Sequence, residues 1–189
     1  ATAMIAAYPE LGTTTEPLKP VAEWGVFVNL LNTEESTMVF MEHVFEEVVA
    51  LFPGRYVHIG GDEAVKDQWI ASPRVQAQMK ALGLKTEMQM QSRMVARFET
   101  FLAARGKRLI GWDEILEGEL PPSATVMSWR GIEGGLQAAG KGHDVVMSPV
   151  SHLYLDYLQT ESPNEPPGRP TTVTLRKLYD FDPVPDALA

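Results

Sequence analysis

Two stretches of the chain carry apolar residues at helical spacing. Asn32 is a suitable N-cap for the first helix, and Pro53 should end it. Thr86 opens the second helix, and Gly106 closes it. Steps of three and four residues place each apolar set on one face of its helix. These sets are Met41, Val44, Phe45, Val48 and Phe52, followed by Met90, Met94, Phe98 and Leu102.

Short, continuously apolar runs alternate with the predicted helices. They lie at residues 56–59, 108–112, 125–129 and 144–148. Strands that are buried on both faces form such continuous runs, and this is typical of parallel sheets. Because strands and helices alternate along the chain, we predict an α/β fold in which helices cover a parallel sheet.

Shorter elements complete the predicted order. Proline recurs in two segments, 13–31 and 162–170, which are expected to form irregular loops. Further helices are expected over Thr2–Ala7, between Ser72 and Gly83, over 132–139 and over Leu175–Tyr179.

Composition and charge narrow the possible functions. A chain of 189 residues can bury one sizeable core, and its net charge of −9 argues against a nucleic-acid partner. The lack of cysteine excludes disulfides, thiolate metal sites and a cysteine nucleophile. No apolar run approaches ~20 residues, so no membrane span is expected. The histidines show no metal-ligand spacing and no nucleotide-binding fingerprint is found, so neither a metal nor a cofactor is expected.

The clearest chemical signal follows the first apolar run. The motif His58-Ile59-Gly60-Gly61-Asp62-Glu63 ends a predicted strand with two glycines and two adjacent carboxylates. In α/β proteins, chemistry collects at the carboxyl ends of parallel strands. A solvated acidic turn is the alternative, but chance would produce five chosen residues at this spacing with a probability of about 10⁻⁴. We therefore interpret Asp62 and Glu63 as candidate catalytic residues.

Aromatic and acidic residues also follow the other predicted strands. Indole faces stack on pyranose rings, while carboxylates bind hydroxyl groups and transfer protons. A single tryptophan is more often a core residue, but two of them at strand ends favour a sugar site. The clusters are Trp112-Asp113-Glu114, then Trp129-Arg130, and finally His152, Tyr154 and Asp156.

The adjacency of the two carboxylates bears on the mechanism. Ordinary glycosidases place two carboxylates across the scissile bond, about 5–5.5 Å apart in retaining enzymes and about 6.5–9.5 Å apart in inverting ones. Neighbouring residues at one strand end cannot easily flank a bond in this way. Asp62 and Glu63 are therefore better interpreted as an acid and its helper than as an acid and a nucleophile.

In these motifs the chain resembles glycoside hydrolase family 20, the β-N-acetylhexosaminidases. The first motif is similar to the family's His-x-Gly-Gly-Asp-Glu, and the likeness covers most of residues 1–158. The resemblance implies a (β/α)₈ TIM barrel and an exo-enzyme that removes terminal β-linked N-acetylglucosamine or N-acetylgalactosamine with retention. The nucleophile would be the substrate's own 2-acetamido oxygen, which gives an oxazolinium intermediate. Three further motifs match in order: Gly111-Trp112-Asp113-Glu114, Ser128-Trp129-Arg130-Gly131 and Tyr154-Leu155-Asp156.

The resemblance also implies catalytic roles for three residues. Glu63 would act first as the general acid and then as the general base. Asp62 would hold and polarise the acetamido N–H group. Tyr154 would donate a hydrogen bond to the acetamido oxygen.

Further residues would bind the sugar or support the site. Trp112 and Trp129 would form walls of the acetamido pocket, and Asp156 would bind a hydroxyl group of the terminal sugar. His58 would support the end of its strand rather than touch the substrate. No substrate role is assigned to Asp113, Glu114, Arg130 or His152.

The likeness is incomplete, because a barrel has eight strands in about 250 residues. The family's sugar-binding arginine, its Pro-Gly-His segment and its late tryptophan and glutamate have no counterpart here. We therefore expect residues 1–189 to form part of the catalytic barrel, roughly strands four to seven, with residues 159–189 as a proline-rich loop and tail. The partners would be the remainder of the barrel and a glycan with a terminal β-linked N-acetylhexosamine. The chain alone should be inactive.

Three alternatives remain open at this point. The first is a non-catalytic sugar-binding barrel, although retention of both Asp62 and Glu63 argues against it. The second is a retaining glycosidase whose nucleophile lies outside this segment. The third is a diguanylate cyclase, which shares a Gly-Gly-Asp-Glu sequence but needs a returning strand that is not predicted here. The cellular compartment is not evident from these residues, although the resemblance implies a periplasmic, secreted or lysosomal protein.

Overall fold

In the computed structural model, which describes residues 1–186, four parallel strands form the central sheet. Val57 lies beside Leu109 in the first pair of strands, and Gly111 lies beside Val126 in the second. All the predicted runs form strands, and 108–112 keeps its predicted length. In spatial and chain order the strands are β1 (Tyr56–His58), β2 (Arg108–Trp112), β3 (Thr125–Ser128) and β4 (Val145–Met147).

Helices connect these strands and cover the sheet, as an α/β fold requires. Two 3-10 helices, Pro9–Leu11 and Asp113–Glu117, add single turns. Among the residues described, no helix has the length and hydropathy needed to cross a membrane. The α-helices are α1 (Thr2–Ala7), α2 (Glu35–Leu51), α3 (Asp67–Ala71), α4 (Pro73–Ala81), α5 (Glu87–Ala103), α6 (Glu133–Gly140), α7 (Val150–Leu153) and α8 (Leu175–Tyr179).

Helix α5 follows the prediction closely. Thr86 and Gln89 form a capping box, in which each side chain accepts a hydrogen bond from the other residue's backbone N–H at 3.3 Å. Of the predicted apolar face, Met90, Phe98 and Leu102 are buried, and Met94 packs against the core.

Helix α2 begins later than predicted. Its N-cap is Glu34, whose backbone N–H donates to Asn32 Oδ1 at 3.1 Å. Asn32 is 1% exposed, its Nδ2 donates to the carbonyls of Glu10 and Gly12, and its Oδ1 accepts from Thr37 Oγ1 at 2.6 Å. Asn32 thus joins the start of α2 to the preceding loop. The placement of Phe52 on the buried helix face was also wrong, since it follows the last helical residue and is 63% exposed.

The main core lies between the sheet and helices α2 and α5. Phe45 of α2 and Phe98 of α5 pack edge to face, with ring centroids 5.1 Å apart. Leu109 and Val126 on the strands are completely enclosed behind them. A second cluster joins α3, α4 and α5, and it consists of Trp69, Val75, Met79 and Met90.

Replacing Leu102 with alanine should destabilise the protein by about 2–5 kcal/mol, because it removes a fully enclosed side chain and leaves a cavity. Leu102 is 0% exposed. Leu51→Ala is the matched control, since Leu51 also ends a long helix but is 73% exposed. Urea-induced unfolding measures both variants against the wild type. Equal losses of stability would contradict the assignment of the core.

The segment after β4 contains more structure than the sequence pattern indicates. Strands β5 (Tyr157–Leu158) and β6 (Arg169–Thr172) form a separate parallel pair. Arg169 N donates to Asp156 O at 2.8 Å, and Val173 N donates to Leu158 O at 2.8 Å. The proline-rich segment therefore returns to the residues that follow β4. Residues 187–189 of the predicted tail lie outside the described range.

Candidate active site

The chain turns sharply after β1, at two glycines. Gly60 and Gly61 have φ angles of +77° and +99°, and Glu63 has a φ angle of +47°. A residue with a side chain adopts such angles at a cost of about 1–2 kcal/mol, whereas glycine does so freely. Gly60 O still accepts a hydrogen bond from Trp112 N at 2.9 Å, so the turn begins at the edge of the sheet. As a result, Asp62 and Glu63 leave the carboxyl end of β1 as exposed residues.

Neighbouring elements hold this turn in place. Gln91 on α5 donates from Nε2 to Gly61 O at 3.0 Å. Ile115, in the 3-10 helix after β2, approaches so closely that a Cβ atom on residue 61 would lie 2.7 Å from its Cγ2. Gly111 is similarly crowded, because a Cβ atom there would lie 3.1 Å from Gly60 O. The turn therefore needs glycine for close packing as well as for its backbone angles.

Four aromatic rings line the carboxyl ends of successive strands. His58 lies against Trp112 at a centroid distance of 4.8 Å. Trp112 meets Trp129 at 6.4 Å, with their planes 71° apart. Trp129 stacks on Tyr154 at 6.3 Å, with an interplanar angle of 25°. We call His58, Trp112, Trp129 and Tyr154 the aromatic row, and its members are separated by as many as 96 residues in the sequence (154 − 58).

His58 supports the turn through its own ring. Its Nδ1 accepts a hydrogen bond from Gly60 N at 3.0 Å, which requires the neutral imidazole. Although much of the residue is exposed, its ring lies against Trp112 and loses hydration. This desolvation lowers the pKa of His58, and the nearby Asp62 carboxylate opposes the shift. The imidazole is therefore kept uncharged near neutral pH.

Tyr154 and Asp156 follow the short helix α7 at the far end of the row. Partial burial raises the pKa of the Tyr154 hydroxyl, Arg169 opposes the shift, and Asp156 and Asp62 add to it. The phenol therefore keeps its proton and can donate a hydrogen bond. Asp156 is exposed and forms an ion pair with Arg169, whose Nε lies 2.9 Å from Oδ2. Arg169 was not identified from the sequence. The β5–β6 pairing brings it to Asp156, and β5 is too short to show a periodic pattern.

Of the residues that received no substrate role, Asp113, Glu114 and Arg130 form a support behind Trp129, whereas the His152 ring lies against Phe181. Glu114 accepts a hydrogen bond from the indole N–H of Trp129, and Asp113 accepts one from Arg130 Nε at 2.8 Å. Ser128 Oγ lies 3.5 Å from the buried Asp113 carboxylate. The motifs themselves were the signal that could have identified them, because each of these polar residues lies within two positions of a tryptophan.

A half-open pocket of about 740 Å³ lies among α2, α4 and α5, and its lining contains none of the predicted site residues. The aromatic row instead lies on a partly exposed surface at the strand ends. Within residues 1–186, no three histidine, aspartate or glutamate side chains stand together in the manner of a metal site. The candidate site thus consists of the Gly-Gly turn, its two carboxylates and the aromatic row.

Known proteins share this arrangement of elements. A β-N-acetylhexosaminidase structure from Bacteroides fragilis superimposes with a TM-score of 0.80, covering 96% of this chain and 36% of its own length, at 24% identity. That likeness confirms the predicted α/β fold and its status as part of a barrel. A family 20 exo-β-N-acetylglucosaminidase from Vibrio harveyi, solved in complex with N-acetylglucosamine, is 35% identical with a TM-score of 0.76. It covers 82% of this chain, and the match spans 25% of the Vibrio chain.

Sequence comparison gives the same family. A β-hexosaminidase from Porphyromonas gingivalis is 46% identical over 190 aligned residues that cover 100% of this chain. The chain spans 24% of the length of that enzyme. The family model described as "Glycosyl hydrolase family 20, catalytic domain" matches residues 1–189. Because the match extends over its whole length, this chain belongs to glycosyl hydrolase family 20 and represents part of that family's catalytic domain.

Proposed function

We propose that this chain supplies part of the active site of a retaining exo-β-N-acetylhexosaminidase. The enzyme removes terminal β-linked N-acetylglucosamine or N-acetylgalactosamine through an oxazolinium intermediate that the substrate's acetamido group forms. The observation that carries the proposal is the aromatic row, which lies at the same sheet edge as the exposed pair Asp62 and Glu63. The names of the Porphyromonas and Vibrio relatives support the same activity.

Proton transfer is the role proposed for Glu63. Glu63 follows the end of β1 in a left-handed backbone conformation, and its exposed side chain is accessible to a glycosidic oxygen. It protonates the leaving group and then deprotonates the water that opens the oxazolinium ring. Asp62 accepts a hydrogen bond from the acetamido N–H and thereby orients the acetamido oxygen as a nucleophile.

The acetamido group itself is enclosed by the row. Trp112 and Trp129 meet at 71°, so two indole rings form adjacent walls of a corner. The methyl group of an acetamido substituent is apolar and fits such a corner. Tyr154, stacked on Trp129, keeps its hydroxyl proton and donates a hydrogen bond to the acetamido oxygen. Asp156, held by Arg169, binds a hydroxyl group of the terminal sugar.

The rest of the site belongs to other parts of a complete barrel. Residues 1–189 contribute roughly strands four to seven. Within the loop and tail over 159–189, Arg169 returns to the site through its ion pair with Asp156. The partners of the chain are therefore the remaining strands of its own barrel and the glycan. Nucleic acid is not among them, since the net charge is −9.

The test compares hydrolysis of an aryl β-N-acetylglucosaminide with that of the matched aryl β-glucoside by the complete-barrel protein. Substrate-assisted catalysis predicts strong preference for the acetamido substrate, since the glucoside lacks the nucleophile. Equal rates would indicate a protein nucleophile outside this chain. Turnover of neither substrate would indicate a sugar-binding barrel. The isolated 189-residue chain is expected to hydrolyse neither of them.

A further inference from the structure

The indole N–H of Trp129 is held by a buried carboxylate. Trp129 Nε1 donates to both oxygens of Glu114, at 2.9 Å to Oε2 and at 3.2 Å to Oε1. Only 11% of the Glu114 side chain is exposed. Glu114 belongs to the 3-10 helix that directly follows β2, whereas Trp129 follows β3. The hydrogen bond therefore joins the ends of two neighbouring strands.

The two cations near Glu114, Arg130 and Lys66, donate hydrogen bonds to other groups. Arg130 Nε lies 3.9 Å from Glu114 Oε1, but it donates to Asp113 at 2.8 Å, and Arg130 Nη1 donates to Glu117 at 2.7 Å. The partly buried Lys66 ammonium faces both Glu117 and Glu114 at longer range. Burial raises the pKa of Glu114 and the neighbouring Asp113 side chain adds to the shift, while the Trp129 hydrogen bond, the Glu114 backbone N–H and the Arg130 charge oppose it. Among the neighbouring side chains, the indole N–H is the one that hydrogen-bonds this carboxylate.

Burial of a carboxylate is unfavourable unless it is paired and hydrogen-bonded. A core position beside a tryptophan could be filled by an apolar side chain without that penalty. A carboxylate offers what an apolar residue lacks, namely a directional acceptor that selects one orientation of the indole ring.

Trp129 lies between two other residues of the proposed site. The Trp129 ring contacts Trp112 at an interplanar angle of 71° and stacks on Tyr154 at an interplanar angle of 25°. Rotation of the indole about its side-chain bonds would open the corner with Trp112 and remove the surface on which Tyr154 stacks. The orientation of Trp129 therefore controls both the apolar wall and the hydrogen-bond donor.

We propose that Glu114 is a positioning residue, which fixes the orientation of Trp129 and through it the wall and the donor that hold the acetamido group. This inference rests on the proposed function, because it assigns Glu114 to the same site. Glu114 does not touch the substrate. Its effect is transmitted through the indole ring and falls on the productive orientation of the acetamido group.

The experiment is a double-mutant cycle in the complete-barrel protein, built from Glu114→Leu, Trp129→Phe and the double variant. Each single variant should lower kcat for the aryl β-N-acetylglucosaminide by up to about 10²-fold, with a smaller change in KM, because small misplacements of a reacting group have effects of that size. In the Trp129→Phe background, Glu114→Leu should cause no further loss, since the ring no longer has an N–H to hold. Multiplicative losses would overturn the inference.

Two further variants separate positioning from simple structural support. Glu114→Gln keeps a neutral acceptor and should retain activity within about tenfold of the wild type, since the hydrogen bond survives in weaker form. Glu119→Gln is the control, because Glu119 is exposed, lies just beyond the same 3-10 helix and should leave kcat unchanged. If Glu114→Leu does not fold, Glu114→Gln in the Trp129→Phe background replaces it in the cycle.

Near-ultraviolet circular dichroism tests the orientation of the aromatic rings without measuring enzyme activity. The coupled rings of Trp112, Trp129 and Tyr154 should give a signal that Glu114→Leu alters and Glu119→Gln leaves intact. An unchanged signal together with unchanged kcat in Glu114→Leu would refute the positioning role. If the wild type hydrolysed the aryl β-glucoside as fast as the aryl β-N-acetylglucosaminide, the proposed function would be refuted instead. The spectroscopic comparison of the variants does not depend on that activity.

Discussion

In the complete-barrel protein, replacing Glu63 with glutamine is expected to lower kcat/KM for aryl β-N-acetylglucosaminides by about 10²–10⁴-fold, the usual contribution of a general acid. Glutamine has nearly the same shape but cannot transfer a proton. Because Glu63 is exposed, and glutamine can adopt the same backbone φ angle of +47° as glutamate, the variant should fold normally. The loss should be largest for poor leaving groups, because they need protonation most.

A series of aryl glycosides whose phenols differ in pKa measures this effect. The matched control is Glu47→Gln, an exposed glutamate on helix α2, which should show wild-type rates. Circular dichroism and the thermal midpoint should be the same for both variants. A loss that is independent of the leaving group, or no loss in Glu63→Gln, would remove Glu63 from the role of general acid.

Replacing Gly61 with alanine should reduce both stability and activity strongly. Gly61 has a φ angle of +99°, and an added Cβ atom would lie 2.7 Å from Ile115 Cγ2. The backbone strain costs about 1–3 kcal/mol, and overpacking of the core adds about 1–3 kcal/mol. Because Asp62 and Glu63 follow directly, any shift that relieves the clash displaces the proposed catalytic carboxylates. We therefore expect a loss of about 2–5 kcal/mol in the free energy of unfolding, together with severe loss of kcat.

Two other glycines allow the contributions to be separated. Gly83 also has a positive φ angle, +71°, but a Cβ atom there would meet nothing within 4 Å, so Gly83→Ala should show the strain alone. Gly54 has equal space and lies outside the left-handed region, so Gly54→Ala should be nearly neutral. Urea denaturation ranks the three variants, and an equal effect at all three positions would contradict the crowding at Gly61.

Much of the fold could be predicted from local patterns. The runs at 56–59, 108–112, 125–129 and 144–148 all became parallel strands. The inner strands β2 and β3 are mostly buried and therefore show continuous apolar runs. The apolar face of α5 was equally clear, since its residues recur every four positions after a capping box. The start of α2 was missed because Asn32 lies before the N-cap, where its Oδ1 accepts from Glu34 N and its Nδ2 binds a loop that is distant in sequence.

The β5–β6 pair was missed for a similar reason. A strand of two residues, Tyr157–Leu158, is too short to show any periodicity, and its partner contains a proline. The ion pair between Arg169 and Asp156 depends on that pairing. Such contacts are set by where the chain returns in space, which no local pattern records.

The sequence by itself determined the order of strands and helices, the glycine turn after β1 and the chemical types of the side chains at each strand end. It also implied that these ends meet, because parallel strands present their carboxyl ends at one edge of a sheet. Only the tertiary structure decided how the side chains face one another there. The Trp112–Trp129 corner, the stacking of Tyr154 and the Glu114 hydrogen bond depend on strand register and on packing across neighbouring strands. The orientation of these side chains depends on contacts between residues that are distant in the sequence, so the residue order along one strand does not predict it.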